Sequence, residues 1–348
     1  MSNVFLSKWL ICSRSALVVL LGACLLLLGL TGCQPAPQIV TFSGFTMGTQ
    51  YNIRFVGEQT MAEGLKAKVD TRLQAVNDSM SNWQQESTIS RFNRHHSSEP
   101  MAIDADFATV MQESLWLGEQ TLGALDVTLG PVIDLWGFGP QGRVTQAPTE
   151  AAIRAAQVFT GLDKLALNGL MLSKSEPQLS LSFSAIAKGF GVDAVAELLE
   201  QHDIGNYMVE IGGELRTRGQ KPDGNGWRIA VERPESSGRE AFVVIEPGNN
   251  AVATSGDYRN YFEQEGQRFS HLLDPRTGQP ITNRLASVTV ISPSCMRADG
   301  LATGFSILGA EAALAYAEAN QLAIMLIEQN LAGELVTRYS SYFESYLR

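Results

Sequence analysis

One stretch decides the fold of this chain: Arg297-Ala298-Asp299-Gly300-Leu301-Ala302-Thr303-Gly304-Phe305-Ser306-Ile307-Leu308-Gly309. It follows a β-branched segment, 287–291, and a Ser-Pro-Ser breaker, so the pattern predicts a strand, a turn and then a helix. On that helix Asp299 and Thr303 stand four residues apart, on one face. Their carboxylate and hydroxyl oxygens are hard donors that suit a Mg²⁺ ion with positions left for phosphate oxygens. The alternative, which spacing alone favours, is that Asp299 only caps or charges the first helical turn and Thr303 has no role in a site.

The length and charge of the chain narrow the class of protein. Its 348 residues suffice for one large domain or two modest ones with a substantial core. The formal net charge is −10, and because the first 32 residues hold Lys8 and Arg14 but no acid, the remainder carries −12. This balance argues against a nucleic-acid-binding protein, which needs a basic face. It does not exclude an anionic ligand, because a bound metal ion can reverse the local field.

Cysteine and histidine are scarce. The cysteines are Cys12, Cys24, Cys33 and Cys295, and the first three belong to an N-terminal leader or its end. Cys295 is then alone in the mature chain, which predicts no disulfide framework and no CxxC metal site. The chain has four histidines, so a multi-histidine zinc site is not expected.

Residues 1–33 have the pattern of an export leader. Two basic residues precede an apolar segment, 16–30, which is shorter than the ~20 residues of a membrane span, so a cleaved signal is favoured over an anchor helix. Leu30-Thr31-Gly32-Cys33 resembles a bacterial lipobox, which implies a signal peptide over 1–32 and lipidation, with palmitate, at Cys33. Residues 33–40, which include two prolines, are predicted to be a tether, and residues 41–348 the folded domain.

The N-terminal region combines strand and helix patterns. A strand is predicted over 40–56 with an interruption at Thr46-Met47-Gly48-Thr49, where glycine indicates a bulge or a close ligand. For Met47 itself, the residues alone favour an ordinary place in the core. A helix is predicted over 61–80. Trp83 follows in a polar segment, so we expect either the core or a planar ligand to cover it.

Residues 105–158 are predicted to hold two helices and an ordered loop. The first helix, 105–122, ends at a glycine and leads into Ala124-Leu125-Asp126. The glycine-rich and aromatic-rich segment 129–142 is typical of a compact loop rather than a flexible one. The second helix, 149–158, has Thr149 as its N-cap.

A strand-to-helix turn provides another candidate site. Residues 179–183 alternate like a half-buried strand, and Ser184-Ala185-Ile186-Ala187-Lys188 then opens a helix that runs to about His202. Small residues and a lysine at a helix N-terminus suit a phosphate group. The GxxxxGK[ST] order of a P-loop is absent, so this signal is weak by itself.

From Asn206 onward strands predominate. They are predicted over 207–211, 214–218, 227–232, 242–246, 251–255, 321–327 and 333–338, with helices over 297–308 and 310–319. His271 ends a further strand before a Pro-Gly turn, and on spacing alone a functional and a structural role remain equally open. Interleaved helices and meandering strands predict an α+β fold with mostly antiparallel sheets.

Together these segments resemble the FAD:protein FMN transferase family, the ApbE-type flavin transferases. Each motif is weak alone, but nine or more in one order, spanning residues 46 to about 309, make a strong match. The motifs are Thr46-Met47-Gly48-Thr49, Met80-Ser81-Asn82-Trp83, Ser90-Arg91-Phe92-Asn93, Gly123-Ala124-Leu125-Asp126-Val127-Thr128, Gly130-Pro131-Val132, Leu135-Trp136-Gly137-Phe138-Gly139, Ala185-Ile186-Ala187-Lys188-Gly189, Gly212-Gly213, Thr254-Ser255-Gly256-Asp257-Tyr258-Arg259, Ser270-His271-Leu272-Leu273-Asp274-Pro275 and Ala298-Asp299 through Thr303.

The resemblance implies a single T-fold-like α+β domain, with a division into two lobes left open. It also implies Mg²⁺ as cofactor and FAD as substrate. By resemblance, the nucleotide-binding residues are Met47, Trp83, Ala124, Leu125, Asp126, Ser182, Lys188 and Leu273. By resemblance, the Mg²⁺ ligands are the Ala185 carbonyl and the Asp299 and Thr303 side chains, and the general base is His271.

The implied reaction moves the FMN moiety of FAD onto a threonine or serine hydroxyl of an acceptor protein and releases AMP. Mg²⁺ suits the charge of a pyrophosphate, a histidine suits the hydroxyl proton, and Trp83 offers a stacking face. The resemblance further implies an acceptor with a threonine motif in a membrane redox complex. The lipid anchor implies the periplasmic side of a membrane, with the inner membrane favoured. Gln34 is not the usual aspartate retention signal, so the outer membrane stays open.

Two departures from the family pattern keep alternatives open. Ser182 stands where many relatives carry aspartate, and the residue at position 83 varies with the balance between transfer and hydrolysis. One alternative is an FAD pyrophosphatase that yields FMN and AMP. The other is a non-catalytic flavin-binding lipoprotein, which the presence of Asp299, Thr303 and His271 disfavours, because a pure binder needs no paired metal donors beside a base.

Overall fold

An eight-stranded antiparallel sheet runs through the centre of the protein. The computed structural model describes residues 37–142, 144, 146–234, 240–256, 261–264 and 267–348, with only the backbone course for 261–264 and 267–268. The described α-helices, α1 to α8, are Ala62–Met80, Thr88–Arg94, Ala105–Gln120, Gly130–Leu135, Glu150–Gln157, Ala187–Glu200, Cys295–Leu308 and Ala310–Ala319. The described strands, β1 to β17, are Gln38–Thr46, Thr49–Gly57, Met101–Ala102, Leu165–Asn168, Met171–Lys174, Tyr207–Ile211, Glu214–Arg218, Ile229–Glu232, Ala241–Ile245, Ala251–Gly256, Tyr261–Gln264, Gln267–Ser270, Leu273–Asp274, Gln279–Pro280, Leu285–Ser292, Ala323–Gln329 and Leu335–Tyr339.

The central sheet has the strand order β1-β2-β6-β7-β10-β15-β16-β17, and each neighbouring pair is antiparallel. Smaller antiparallel sheets are β3-β5-β4, β8-β9, β11-β12 and β13-β14. The predicted α+β class with antiparallel pairing is therefore confirmed. The three-stranded sheet around β5 was not predicted, because its strands are only two to four residues long.

The strand and helix predicted around residues 287–309 form the centre of the core. Every residue of β15 except Ala286 is buried, because α7 covers one face of the sheet and the β8–β9 hairpin with Phe343 covers the other. A strand buried on both faces favours a mostly apolar, β-branched sequence, and this segment has one apart from the buried hydroxyl residues Ser287, Thr289 and Ser292. Ser294 caps α7 by accepting a hydrogen bond from the Arg297 amide at 3.2 Å, so the helix starts two residues earlier than predicted.

Glycines let α7 pack closely on its neighbours. A Cβ atom at Gly300 would lie 2.3 Å from Leu117 Cδ1, and one at Gly304 would lie 2.6 Å from Thr121 Cγ2, both on or beside α3. A Cβ atom at Gly189 of α6 would lie 2.4 Å from the Cys295 carbonyl oxygen. The close approach of α6 to α7 is what brings the predicted site residues of both helices together.

Three local predictions need correction. Residues 40–56 are not one interrupted strand but the β1–β2 hairpin, whose turn has positive φ at both Met47 (49°) and Gly48 (71°). Residues 179–183 are not a strand, although Ser180 forms one parallel bridge with Leu129. Residues 129–142 contain the short helix α4 rather than only a loop.

Two helix predictions are confirmed, and the leader prediction falls on residues that the structure does not describe. The predicted helix over 61–80 is α1, and Thr149 caps α5 as predicted, by accepting from the Ala152 amide at 3.2 Å. The predicted leader and Cys33 lie outside the described residues. The described compact unit is Gln38–Arg348. Among the residues that the structure describes, no helix is both long and apolar enough to span a membrane.

Candidate functional site

A cavity of about 670 Å³ opens where α6 and α7 approach the end of β10. This volume lies in the range of roughly 300–1,000 Å³ that is usual for cofactor-sized ligands. The predicted site residues that line it are Trp83, Ala124, Leu125, Asp126, Ser182, Ala185, Lys188, His271, Leu273, Asp299 and Thr303. Residues distant in sequence thus meet at one cavity, and their chemical roles remain predictions.

Met47 is the predicted site residue that the structure does not place in the cavity lining. It lies at the β1–β2 turn, and its methyl carbon lies 2.9 Å from where a Cβ atom of Gly191 in α6 would be. It is partly buried against the main core. Its contact with a nucleotide therefore stays a prediction, while the packing role that the sequence also allowed is observed.

Asp299 is held at the bottom of the cavity by α6. The residue is 5% exposed, and its Oδ2 atom accepts a hydrogen bond of 2.9 Å from the Gly189 amide. Only glycine permits this approach, because a Cβ atom at position 189 would lie 2.8 Å from Asp299 Cβ. Burial raises the pKa of the Asp299 carboxyl, and the Lys188 ammonium group opposes that rise.

The same hydrogen bond has a second effect, on the Ala185 carbonyl. In a regular helix the Gly189 amide would donate to the carbonyl four residues earlier, which is that of Ala185. Here the amide donates to Asp299 instead, α6 begins only at Ala187, and no described backbone amide donates to Ala185 oxygen. A carbonyl without its helical partner, beside a cavity, is suited to a cation.

These donors fit a hard cation. Thr303 lies one helical turn after Asp299 and lines the same cavity, so a carboxylate, a hydroxyl and a carbonyl oxygen are available together. Among the described residues there is no cluster of three or more His, Cys, Asp or Glu side chains that could hold a metal ion. A cation here would therefore depend on the hydroxyl, the carbonyl and further oxygens from substrate or water.

Lys188 and Glu214 add a charged pair next to Asp299. The Lys188 Nζ atom lies 2.9 Å from Glu214 Oε1 and 3.7 Å from Asp299 Oδ1. Burial alone would lower the pKa of Lys188, but the two carboxylates outweigh it and raise that pKa. Burial raises the pKa of Glu214, against the attraction of Lys188. Glu214 also lines the cavity, and sequence reasoning missed it because only the fold brings it to Lys188.

Aromatic side chains form the outer wall. Trp83 is 72% exposed although it lines the cavity, so no part of the described core covers it and one ring face is open to a planar ligand. Trp136 is buried and donates from Nε1 to the Gly278 carbonyl at 2.8 Å. His271 follows β12, and its ring centroid lies 6.4 Å from that of Phe138 in an edge-to-face arrangement.

Two loops that border the cavity are held by side-chain hydrogen bonds. Asp126 Oδ1 accepts from the amide (2.7 Å) and the hydroxyl (2.6 Å) of Thr128, while burial raises the Asp126 pKa. The side-chain amide groups of Asn82 and Asn93 both donate to the Leu181 backbone carbonyl at 2.9 Å. The Asn93 Oδ1 atom accepts from the Leu181 amide at 2.7 Å. These bonds replace the predicted strand pairing of 179–183 and fix the position of the adjacent Ser182.

Comparison with known proteins places the chain in a family. Residues 47–326 match the ApbE family. The FAD:protein FMN transferase of Vibrio cholerae is 50% identical over 303 residues, which cover 86% of this chain and 91% of that protein. The FAD:protein FMN transferase of Haemophilus influenzae is 45% identical over 326 residues, which cover 91% and 94% of the two chains.

Solved structures agree with this result. The flavin transferase ApbE from Vibrio cholerae is similar with a TM-score of 0.83 at 46% identity, covering 89% of this chain and 100% of that one. The ApbE protein of Thermotoga maritima is similar with a TM-score of 0.80 at 25% identity, covering 89% and 100%. The resemblance found from the motifs is thus confirmed over nearly the whole described fold, and the chain belongs to the ApbE family.

Proposed function

We propose that this protein is a Mg²⁺-dependent FAD:protein FMN transferase that attaches FMN, through a phosphoester bond, to a threonine or serine hydroxyl of an acceptor protein. The names of its relatives support flavin transfer from FAD to protein. One observation carries the finer proposal: Asp299, Thr303, His271 and Ala185, whose carbonyl accepts from no described backbone amide, all line one cavity. Cation donors and a candidate base beside one substrate-sized space are what phosphoryl transfer to a hydroxyl requires.

Different residues of the cavity would bind the cation, the phosphate groups and the flavin ring. Asp299, Thr303 and Ala185 would hold Mg²⁺, which neutralises charge on the pyrophosphate and favours departure of the leaving phosphate. Lys188 presents an ammonium group from the first turn of α6, where it can contact a phosphate oxygen. Trp83 provides a face for the isoalloxazine ring, and Asp126 and Ser182 provide polar groups on the walls.

The proposed reaction exchanges one phosphorus–oxygen bond for another. The acceptor hydroxyl oxygen forms a bond to the phosphorus of the FMN moiety, and the bond from that phosphorus to the bridging oxygen breaks. FMN becomes a phosphoester of the acceptor and AMP leaves with the electron pair of the broken bond. His271 takes the hydroxyl proton, which passes on to water or to the leaving AMP.

The leader sequence supports a location for this activity. We propose that Cys33 carries the lipid and that the domain works on the periplasmic side of a membrane, the inner one being favoured. The acceptor would then be an exported protein, in keeping with a membrane redox complex. Globomycin, which inhibits cleavage of lipoprotein signals, should cause the uncleaved precursor to accumulate if Cys33 is the lipidation site, and Cys33→Ala should release the protein from the membrane fraction.

The test of function measures the mass of an acceptor. The full-length protein, purified in detergent, is incubated with FAD, Mg²⁺ and a candidate acceptor domain, with Asp299→Asn and Thr303→Val alongside Thr303→Ser. We expect a mass increase of one FMN moiety that Asp299→Asn and Thr303→Val abolish and Thr303→Ser largely retains, because serine keeps the hydroxyl. AMP and free FMN without labelling, across a panel of acceptors, would instead indicate the pyrophosphatase. FAD that stays intact in every reaction would indicate the non-catalytic binding protein.

A further inference from the structure

We propose that Glu214 is a positioning residue, whose carboxylate holds the Lys188 ammonium group away from Asp299 and so keeps Asp299 available to a divalent cation. This proposal rests on the proposed metal site. It concerns a residue that no motif identified, at the start of β7 directly after Gly212-Gly213. Two distances from the Lys188 ammonium group, and one Glu214 carboxylate oxygen that no described donor reaches, point to this role.

Glu214 is an unusual residue for its position in the sheet. It is 4% exposed, and its neighbours in β7 include Leu215, which packs in the core. Its Oε1 atom contacts Lys188, but within the part of the chain that the structure describes no donor reaches Oε2. A buried carboxylate oxygen without a hydrogen bond destabilises a fold. The fold alone therefore does not explain a glutamate at position 214, and this residue lines a cavity in which a ligand would bind.

Lys188 has two possible partners and is closer to one. Its Nζ atom is at hydrogen-bond distance from Glu214 (2.9 Å) but beyond it from Asp299 Oδ1 (3.7 Å). Asp299 Oδ2 is already occupied by the Gly189 amide. Among the hydrogen bonds of the described residues, Asp299 Oδ1 accepts none, so it is the oxygen more open to a cation. Among the described residues, Glu214 and Asp299 are the carboxylates within 4 Å of the Lys188 ammonium group. If position 214 were uncharged, Asp299 alone would be left, and we expect Lys188 and Asp299 to pair directly.

Charge balance leads to the same conclusion. With both carboxyl groups ionised and Lys188 protonated, the triad carries −1, which attracts a divalent cation, and a bound divalent cation then leaves +1 for an anionic phosphate chain. With Glu214 neutral, the Lys188–Asp299 pair is already balanced, and a cation must displace the ammonium group before it can bind. Glu214 thus acts on the cation largely through Lys188.

The test compares Mg²⁺ binding in four proteins that contain no flavin: wild type, Glu214→Gln, Lys188→Met and the double variant. Calorimetric titration of the full-length protein gives the affinities, and Mn²⁺ followed by electron paramagnetic resonance gives a second measurement. We expect Glu214→Gln to weaken binding at least tenfold, and Lys188→Met to leave it equal or tighter. In the Lys188→Met background, Glu214→Gln should weaken binding less than threefold. Equal losses in both backgrounds would overturn the proposal, because Glu214 would then act on the cation directly, and so would no loss in either.

Two controls separate this proposal from the proposed function. Glu63→Gln removes the same charge from an exposed position of α1 and should not change the affinity. Asp299→Asn should abolish binding at this site. If Asp299→Asn leaves Mg²⁺ affinity unchanged, the proposed metal site itself is wrong. If Asp299→Asn abolishes binding but Glu214→Gln has no effect, only the role of Glu214 is wrong. Circular dichroism and thermal unfolding establish that each variant is folded.

Discussion

Gly189→Ala tests the central packing argument most directly. The added Cβ atom would lie 2.4 Å from the Cys295 carbonyl oxygen and 2.8 Å from Asp299 Cβ, and a backbone carbonyl within a helix cannot move alone. Overpacking of this kind typically costs about 1–3 kcal/mol. Separation of α6 from α7 would also break the hydrogen bond from the Gly189 amide to the buried Asp299 carboxylate, which is worth about 1.5–3 kcal/mol. The higher helix propensity of alanine offsets up to about 1 kcal/mol of this loss, so we expect the free energy of unfolding to fall by about 2–5 kcal/mol.

The matched control is Gly64→Ala in α1, where a Cβ atom would meet nothing within 4 Å. Because alanine has the higher helix propensity, this variant should be as stable as the wild type or up to about 1 kcal/mol more stable. Urea unfolding followed by circular dichroism measures both free energies, and Mg²⁺ titration of the folded Gly189→Ala protein should show weakened binding. Wild-type stability and wild-type Mg²⁺ affinity in Gly189→Ala would refute the account of how α6 and α7 build the site.

Further predictions concern buried charge, capping and stacking. Lys174 is 1% exposed and donates to the Phe92 and Leu179 carbonyls. Burial lowers the pKa of its ammonium group to about 8 in the folded protein. Above that pH the folded protein has lost this proton while the unfolded chain still binds it, so a rise in pH favours the folded protein. Wild-type stability should rise by about 2 kcal/mol relative to Lys174→Met between about pH 8 and pH 10, by urea unfolding at each pH. Asp193→Ala should lower the free energy of unfolding by about 2–4 kcal/mol in the same assay. Asp193 accepts hydrogen bonds from the Ser294 hydroxyl and the Met296 amide at the start of α7, and it pairs with an arginine. A decrease below about 0.5 kcal/mol would contradict this account. Trp83→Ala should weaken FAD binding roughly threefold to tenfold in a fluorescence titration without Mg²⁺, and unchanged affinity would argue against stacking.

The sequence predicted the strongly patterned parts of the fold best. The apolar strand before α7, the Thr149 cap and the regular strands after Asn206 have signals that are local, and the structure contains them. The errors arise where the cause is not local. The turn at Met47-Gly48 needs positive φ at a methionine, which no composition rule favours. Residues 179–183 are not a strand, and Asn82 and Asn93 hydrogen-bond to the Leu181 carbonyl there, a contact that spacing does not reveal.

For the candidate site, too, the sequence predicted what local motifs indicate and missed what depends on the fold. Family motifs identified residues that the fold brings to one cavity, with the exception of Met47. They did not identify Glu214, because a single glutamate at the start of a strand carries no signal until its distance from Lys188 is known. Nor did they reveal why Ala185 is suited to be a ligand, since this depends on where one amide hydrogen of the next helix points.

The hydrogen bond between Gly189 and Asp299 joins residues 110 positions apart and has a consequence for biosynthesis. During translation the strands β1 to β7 and helix α6 are complete long before α7 emerges, yet none of the donors contributed by α7 is then in place. A chain released before Leu308 would lack the floor of the cavity and would have neither half of the helix pair in its final position. A ligand that needs Asp299 for binding can therefore stabilise only a chain in which α7 has already packed on α6.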